Sequence, residues 1–180
     1  MDRAAPQTSF TADCTSCAAL CCFVLPFDKS AAFGFDKAAG VPCPHLQTNL
    51  NCAIHATLKP SGFSGCVAFD CHGAGQRVTQ AVFGGRSWRD DPALAGPMED
   101  AFRAMRKLHE AALMLTKAAD LPLTDLQESQ RQAVLAALDP DRARTHADLI
   151  AFESGPDLHA VRQFLASLKP ITRRSGSPAI

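Results

Sequence analysis

All eight cysteines of this 180-residue chain lie between residues 14 and 71, and their spacing is typical of a metal-binding site. The densest part is the nonapeptide CTSCAALCC at residues 14–22, and the whole pattern is C-x2-C-x3-C-C-x20-C-x8-C-x13-C-x4-C. Thiolates are preferred ligands of zinc, iron–sulfur clusters and copper(I), and short spacings let several of them converge on one ion. The pattern therefore predicts a multi-thiolate centre with the ligands Cys14, Cys17, Cys21, Cys22, Cys43, Cys52, Cys66 and Cys71.

The adjacent pair Cys21–Cys22 allows for a second metal position. If the nonapeptide is helical, Cys14, Cys17 and Cys21 fall at i, i+3 and i+7 on one face, and Cys22 points about a quarter-turn away. Cys22 is then placed to serve a second metal. We expect all eight thiols to meet in one compact region, either as two zinc-type sites or as one cluster with spare thiols.

Four polar side chains stand close to cysteines in the sequence. Because eight sulfurs already complete two four-coordinate sites, we expect these side chains to hydrogen-bond to thiolates rather than to bind the metal. Catalysis would need an open coordination position or a titratable group beside the centre, and no spacing here identifies a reaction. Whether the protein is an enzyme stays open. The four residues are His45, His55, Asp70 and His72.

Two other interpretations of the cysteines are weaker. A disulfide framework needs an oxidising compartment, and the N-terminal sequence MDRAAP has no apolar segment that would direct export. Free buried cysteines explain single residues well but not an adjacent pair inside a C-x2-C-x3-C-C run. We therefore expect a cytoplasmic, reducing setting.

Charge and hydropathy restrict the expected partners. Eighteen basic and eighteen acidic residues cancel, so the sequence indicates no basic face and argues against nucleic acid as a partner. No apolar run approaches the length of a membrane span, so no membrane partner is expected. The expected partners are a metal ion and, less directly, another protein.

The elements that must position the cysteines are predicted to be mainly α-helical. We expect a cysteine-rich metal-binding region of loops and helices at residues 13–90, packed on a C-terminal bundle of three to four helices at residues 91–168. A disordered lead-in at residues 1–12 and a disordered tail at residues 169–180 complete the predicted organisation.

Within the cysteine-rich region, Asp13 is a suitable N-cap for a helix that starts at the first cysteine and ends before Pro26. Residues 26–40 alternate phenylalanine with charged residues and predict a short strand or an irregular loop anchored by aromatic rings. Residues 66–71 alternate like the edge of a strand, and the Gly-x-Gly at residues 73–75 predicts a turn.

The C-terminal region shows helical periodicity. An apolar stripe begins near Pro97 and runs to about Asp120, and His109 lies on that stripe as an expected core or boundary residue. The stripe consists of Met98, Phe102, Met105, Ala112 and Leu115 or Thr116.

Three further helices are predicted. A capping box of Thr124 and Gln127 opens the first, which ends at Asp139–Pro140, and the other two cover about residues 141–153 and 156–168. Their expected core residues are Leu126, Val134, Leu135, Leu138, Leu158, Val161, Leu165 and Leu168.

The segments CxxC-x3-CC, CPHL, CAIH and GCVAFDC, which span residues 13–72, resemble the YkgJ-type family of zinc- or iron-chelating cysteine clusters. A longer set, CCFVLPFDKSAAFGFDKAAGVPCPHL with GAGQRV, FGGRSWR and MRKLHE, is similar to the cysteine-rich N-terminal region of certain bacterial pentapeptide-repeat proteins. Both resemblances imply a thiolate centre, with zinc or an iron–sulfur cluster, on a helical body. The chain departs from the repeat proteins because it lacks tandem A-(D/N)-L-x-x units.

Three functions follow from this sequence. The first is a metal-binding protein whose zinc or iron–sulfur centre has a structural or interaction role. The second is an iron–sulfur redox protein or an enzyme that uses the cluster. The third is metal handling or storage.

Overall fold

The structure, a computed structural model, describes residues 10–169. Residues 1–9 and 170–180, which contain most of the predicted lead-in and tail, lie outside the described residues. Between residues 10 and 169 the chain forms α-helices and no β-strand, which confirms the mainly α fold. The seven α-helices of this described range are α1 Leu20–Val24, α2 Ser64–Ala68, α3 Ala74–Arg77, α4 Ala95–Ala118, α5 Asp125–Leu138, α6 His146–Ser154 and α7 Pro156–Ser167.

The 24-residue helix α4 is the central element of the fold. Its predicted apolar stripe is buried, with Leu115 rather than Thr116 at the end of the stripe. α4 contacts α1 and α3 of the cysteine-rich region and also α5, α6 and α7. The cysteine-rich region therefore packs through α4 on a C-terminal bundle of four helices, as expected.

Two hydrophobic cores lie along α4. The first, here called the N-terminal core, joins α1, α3 and the first half of α4. The second, the C-terminal core, joins the second half of α4 to α5, α6 and α7. The main side chains of the N-terminal core are Leu20, Phe23, Val24, Val78, Trp88, Met98, Phe102, Met105 and Leu149. Those of the C-terminal core are Leu108, Ala112, Leu115, Leu138, Phe152, Leu158, Val161, Phe164 and Leu168.

The single tryptophan, Trp88, ties the segment before α4 to α1. Its ring stacks on Phe23 with a centroid distance of 4.3 Å. Its indole Nε1–H donates a hydrogen bond of 2.7 Å to the carbonyl of Ala18. A buried indole needs a partner for its only polar atom, and this carbonyl satisfies it.

The prediction that a helix starts at Cys14 is wrong. The prediction that its cysteines share one helical face is therefore wrong as well. Asp13 does act as a cap, but for a 3₁₀ turn at Cys14–Ser16. The backbone is then extended at Cys17 and left-handed at Ala19, where φ is 54°, and α1 starts only after this break.

The physical reason for the break is competition from long-range hydrogen bonds. The backbone N–H of Ala18 donates to Thr79 Oγ1 at 2.9 Å, and that of Asp13 donates to Gln76 Oε1 at 2.8 Å. These donors bond to α3 and to the π-helical turn Val78–Val82 that follows it, so a continuous helix does not form here.

The strand edge predicted at residues 66–71 is also wrong. Cys66 lies in the short helix α2, and Val67 is exposed on that helix. The N–H of Cys66 donates to the carbonyl of Phe63 and that of Phe69 donates to Gly65, so local bonds form this segment. The segment 26–40 is an irregular loop, as one of the two predicted alternatives stated.

Helix α5 starts where its sequence signal places it. Thr124 and Gln127 form the capping box, and the helix ends at Asp139, whose backbone is left-handed. Leu138 is fully buried, but Leu126, an expected core residue, is 68% exposed. Leu126 lies in the first turn of α5.

Helix α6 starts at His146 rather than near residue 141. Thr145 and Asp148 form a second capping box at its N-terminus. The preceding link is held by Arg144, whose guanidinium donates to the carbonyls of Leu138 and Asp139 at 2.6 and 2.8 Å. None of the described helices is both long enough and apolar enough to cross a membrane.

Candidate metal centre

All eight cysteines are free thiols and lie in the loops and short helices that precede α4 in the chain. Cys14 is exposed and the other seven are partly buried. Three of them pack against the N-terminal core: Cys17, Cys21 and Cys71.

A glycine leaves room for two of these sulfurs to approach each other. A Cβ atom placed on Gly75 would stand 2.6 Å from Cys17 Sγ and 3.9 Å from Cys71 Sγ. Real Cβ atoms essentially never come within 3.0 Å of a heavy atom outside their own and the adjacent residues. The bare backbone of α3 at Gly75 therefore forms a wall on which the sulfurs of Cys17 and Cys71 converge.

Side-chain hydrogen bonds fasten the 3₁₀ turn to α3 and to the π-helical turn that follows α3. Gln76 Oε1 accepts a bond of 2.8 Å from the backbone N–H of Asp13. Gln80 Nε2 donates a bond of 2.9 Å to the carbonyl of Ser16. These bonds lie on both sides of Cys14 and hold this cysteine and Cys17 beside the turn that carries Cys71.

A second set of cysteines is assembled by backbone bonds. The N–H of Cys43 donates to the carbonyl of Cys22 at 3.0 Å. Cys52 forms an antiparallel bridge with Leu46, next to a 2.8 Å bond from Ala53 N–H to the carbonyl of His45. The loop that contains Cys52 therefore folds back on the one that contains Cys43.

An aromatic cluster brings Cys66 to this set, and it consists of the rings of Phe27, Phe33, Phe35, His45 and Phe63. Phe63, three residues before Cys66, packs edge-on against the His45 ring at 5.1 Å. Gly65 lies so close to the Phe33 ring that a Cβ atom would come within 2.2 Å of it. Helix α2 is thereby held against the loop that contains Cys43.

The two sets meet at the pair on α1, where the sulfurs of Cys21 and Cys22 are 3.9 Å apart. We call Cys14, Cys17, Cys21 and Cys71 the first thiol group, and Cys22, Cys43, Cys52 and Cys66 the second thiol group. As the side chains stand, no three His, Cys, Asp or Glu residues between 10 and 169 form a group that could hold a metal ion. A cysteine sulfur moves on one torsion, so closing either group around an ion requires side-chain rotation.

In the first thiol group, burial is the main influence on acidity. Burial raises the pKa of the Cys14 thiol, and the nearby Cys71 raises it further. Burial likewise raises the pKa of Cys17 to about 11, and Cys71 adds to that effect. These thiols hold protons at neutral pH unless a cation replaces the protons.

The second thiol group behaves similarly, with one exception. Burial raises the pKa of Cys66 to about 11, and Cys22, Cys43 and Cys52 raise it further. In contrast, the pKa of Cys22 is lowered to about 7, first by a hydrogen bond from the Cys21 thiol and further by the Lys37 ammonium.

Lys37 is a feature that the sequence analysis missed. The side chain is only 5% exposed. Its ammonium donates to three backbone carbonyls, those of Phe23 at 3.0 Å, Leu25 at 2.6 Å and Ala38 at 3.2 Å. Burial lowers the pKa of Lys37, whereas Cys43, Cys22 and Cys21 raise it. The only sequence signal for its burial was its place in the loop at residues 26–40, which is rich in phenylalanine.

The four polar residues expected beside the thiolates have different surroundings. The ring of His45 lies in the aromatic cluster, whereas His55 is exposed in a 3₁₀ turn. Asp70 Oδ1 accepts a 2.7 Å bond from the N–H of His72, and His72 Nδ1 lies 3.5 Å from Asp70 Oδ2. Asp70 and His72 therefore pair with each other at the end of the turn that contains Cys71. Their predicted bonds to thiolates stay a prediction.

His109 is buried on α4, in agreement with its expected place in the core. Its Nδ1 lies 2.6 Å from the carbonyl of His72, so Nδ1 carries the proton and donates it. His72 has a left-handed backbone with φ 50°, directly after Cys71. Burial lowers the pKa of His109 to about 4. The hydrogen bond to this strained turn could not be recognised from the apolar stripe.

Comparison with known proteins adds one relative. The chain is 46% identical over 113 residues to "Uncharacterized protein YybG" of Bacillus subtilis (strain 168). The match covers 63% of this chain and 40% of that protein, so the chain spans about two fifths of the relative's length. No protein-family model matches the chain, and no solved structure matches it.

Proposed function

We propose that this protein binds metal through its thiols, as zinc or an iron–sulfur centre, and that the centre has a structural role or supports an interaction with another protein. The observation that carries this proposal is the grouping of cysteines that are far apart in sequence, above all Cys17 and Cys71 at the bare face of Gly75. Thiols that merely fill a core do not need a glycine that leaves space for two sulfurs. The resemblance to YkgJ-type cysteine clusters supports the same function.

Energetics favour a structural role. The helices of the cysteine-rich region have four or five residues each, which is far below the length that is stable alone. Much of residues 26–63 consists of loops with isolated bridges. Metal binding by thiolates contributes directly to folding free energy, on the order of 10 kcal/mol for structural zinc in small peptides. A metal would therefore stabilise the part of the fold that has the least regular structure.

The donor set is suited to either metal. Four thiolates complete the tetrahedral shell of a structural zinc site, and four thiolates also hold an iron–sulfur cluster. When bound, the metal would supply a positive charge that keeps the buried thiols deprotonated. Free thiols suit a reducing compartment, so we propose a cytoplasmic location.

The experiment is metal analysis of full-length protein purified anaerobically. We expect zinc or iron in amounts comparable to the protein. Zinc in a colourless protein indicates a structural centre, and iron with acid-labile sulfide and broad absorption near ~400 nm indicates a cluster. Protein that is folded by circular dichroism yet binds neither metal, even when zinc or iron is added under reducing conditions, would refute the proposal.

An iron–sulfur redox protein or enzyme is the second candidate, and Lys37 favours it. Its ammonium donates to the carbonyl of Phe23, the residue after Cys22. A fixed positive charge beside a cluster stabilises the more negative, reduced form. This candidate predicts reversible reduction by dithionite with bleaching of the visible absorption. Metal handling or storage is the third candidate, and reversible release of metal to a competing chelator without loss of fold would support it.

A further inference from the structure

We infer that the eight thiols form two separate four-sulfur sites, each for one thiophilic divalent ion such as Zn²⁺. The first thiol group is one site and the second thiol group is the other. This inference rests on the proposed thiolate metal binding and adds to it the division of the ligands and a stoichiometry of two ions per chain.

The first site is built against α3. Gly75 provides the wall on which the sulfurs of Cys17 and Cys71 converge. The hydrogen bond between Asp13 and Gln76 fixes the 3₁₀ turn that supplies Cys14. The fourth thiol comes from α1, since Cys21 packs against the same N-terminal core as Cys17 and Cys71.

The second site is built by different elements, on the loops beyond α1. The carbonyl of Cys22 accepts the N–H of Cys43, so these two residues are adjacent. The bridge between Leu46 and Cys52 returns the chain to Cys43. The contact of Phe63 with the aromatic cluster then brings α2 and its Cys66 to the same place.

The boundary between the sites runs between Cys21 and Cys22. Successive residues of an α-helix point about 100° apart, so the two side chains leave α1 in different directions, although their sulfurs lie 3.9 Å apart where the two groups meet.

The stoichiometry follows from coordination chemistry. A structural zinc ion takes four ligands and leaves no open position, so two groups of four thiolates use all eight cysteines. Each such site carries a formal charge of −2. The buried ammonium of Lys37 donates to the carbonyl of Phe23, the residue after Cys22, and its positive charge offsets part of the charge of the second site.

The test is zinc content of full-length protein in the presence of a competing chelator. Because three thiolates can still hold zinc, each variant removes two cysteines of one group: C14A/C17A for the first site and C43A/C52A for the second. We expect about two zinc ions in the wild type, about one in each double variant and none in the quadruple variant. A double variant that keeps both ions, or that loses both while still folded, would overturn the division.

A measurement on the unaltered protein covers the case in which a variant does not fold. The wild type is loaded with ¹¹³Cd²⁺ alone and studied by ¹¹³Cd NMR. We expect two resonances of equal area in the range of four-sulfur coordination, without coupling between them. One resonance, or two with cadmium–cadmium coupling through a shared thiolate, contradicts two separate sites.

The outcome for the wild type also separates this inference from the proposed function. One zinc ion per chain, or one iron–sulfur cluster in place of two ions, would overturn the two-site inference and leave thiolate metal binding intact. If the wild type binds no metal at all, both the two-site inference and the proposed thiolate metal binding are refuted.

Discussion

At the scale of single residues, the arrangement of the thiols depends on the absence of a side chain at Gly75. A methyl group there would stand 2.6 Å from Cys17 Sγ. We expect Gly75→Ala to displace that sulfur and to lower the zinc content of the first thiol group. The measurement is metal content together with thermal unfolding. Gly96→Ala is the matched control because Gly96 is also helical but has open space around its Cα.

The control should be neutral or stabilising, since alanine is favoured over glycine in a helix by up to about 1 kcal/mol. Equal metal content in Gly75→Ala and Gly96→Ala would mean that the sulfur of Cys17 does not need this space.

Lys37 gives a second prediction at this scale. Replacement by methionine removes three hydrogen bonds and leaves the carbonyls of Phe23, Leu25 and Ala38 without their donor. We expect Lys37→Met to reduce the free energy of unfolding by about 1–3 kcal/mol, the cost of unsatisfied buried polar groups. Chemical denaturation measures it. Lys29→Met, an exposed lysine on the same loop, should change stability by less than about 0.5 kcal/mol.

If the two lysine variants unfold at the same denaturant concentration, the buried ammonium contributes nothing net. That result would also remove the argument that Lys37 offsets charge at the second thiol group.

At the scale of secondary structure, α5 shows that an apolar sequence pattern does not by itself decide which side chains are buried. Leu126 and Leu138 both fit its apolar pattern, but only Leu138 is buried. We expect Leu138→Ala to reduce stability by about 2–5 kcal/mol, the usual cost of a leucine-sized cavity. Leu126→Ala should be nearly neutral. Denaturant unfolding of both variants checks this, and a comparable loss in both would place the first turn of α5 in the core.

His109 connects two elements, α4 and the turn after Cys71, and this connection predicts a pH dependence. The pKa of His109 is about 4 in the folded protein, below its ordinary value of 6.5, because the buried ring resists protonation. Between those values the unfolded chain binds more protons. The stability from this residue is present above pH 6.5 and is lost as pH falls through about 4, at most about 3 kcal/mol.

His109→Asn tests this, since the asparagine amide can still donate to the His72 carbonyl but does not titrate. The measurement is the difference in unfolding free energy between wild type and variant from pH 7 to pH 4.5, because acid also protonates thiolates in both proteins. We expect the wild type to lose stability relative to the variant as pH falls. A difference that does not change with pH would contradict a buried neutral histidine.

The elements that sequence reasoning found and those it missed differ in where their hydrogen bonds go. The start of α5 was predictable because Thr124 and Gln127 satisfy the helix end locally. Asp13 was recognised as a cap for the same reason. The break at Cys17–Ala19 was not predictable, because the N–H of Ala18 bonds to Thr79, a partner distant in sequence.

The same distinction applies to the site. The spacing of the cysteines alone is enough to predict which residues would bind a metal. The wall at Gly75, the ammonium of Lys37 and the bond from His109 could not be predicted, because each depends on residues that only the tertiary fold brings together.

At the scale of the whole molecule, the two cores share α4 but differ in what stabilises them. The C-terminal core is formed by helices of 9 to 24 residues. The N-terminal core is covered by short helices and loops that contain the cysteines. If metal stabilises the loops, its removal should loosen the N-terminal core and leave most of the helical structure in place.

Trp88 allows this to be measured, because it is the only tryptophan and lies in the N-terminal core. On addition of a strong chelator under reducing conditions, we expect its emission to shift to longer wavelength as water reaches the ring. The helical circular dichroism should fall only modestly, since α4 to α7 contain most of the helical residues.

Zinc added back should reverse both changes, and chelator added to protein already free of metal should cause none. If Trp88 emission stays constant while the metal leaves, the thiolate centre does not stabilise the N-terminal core. If instead emission and helical signal collapse together, the two cores form one cooperative unit through α4, because loss of packing on its first half then unfolds the second half as well.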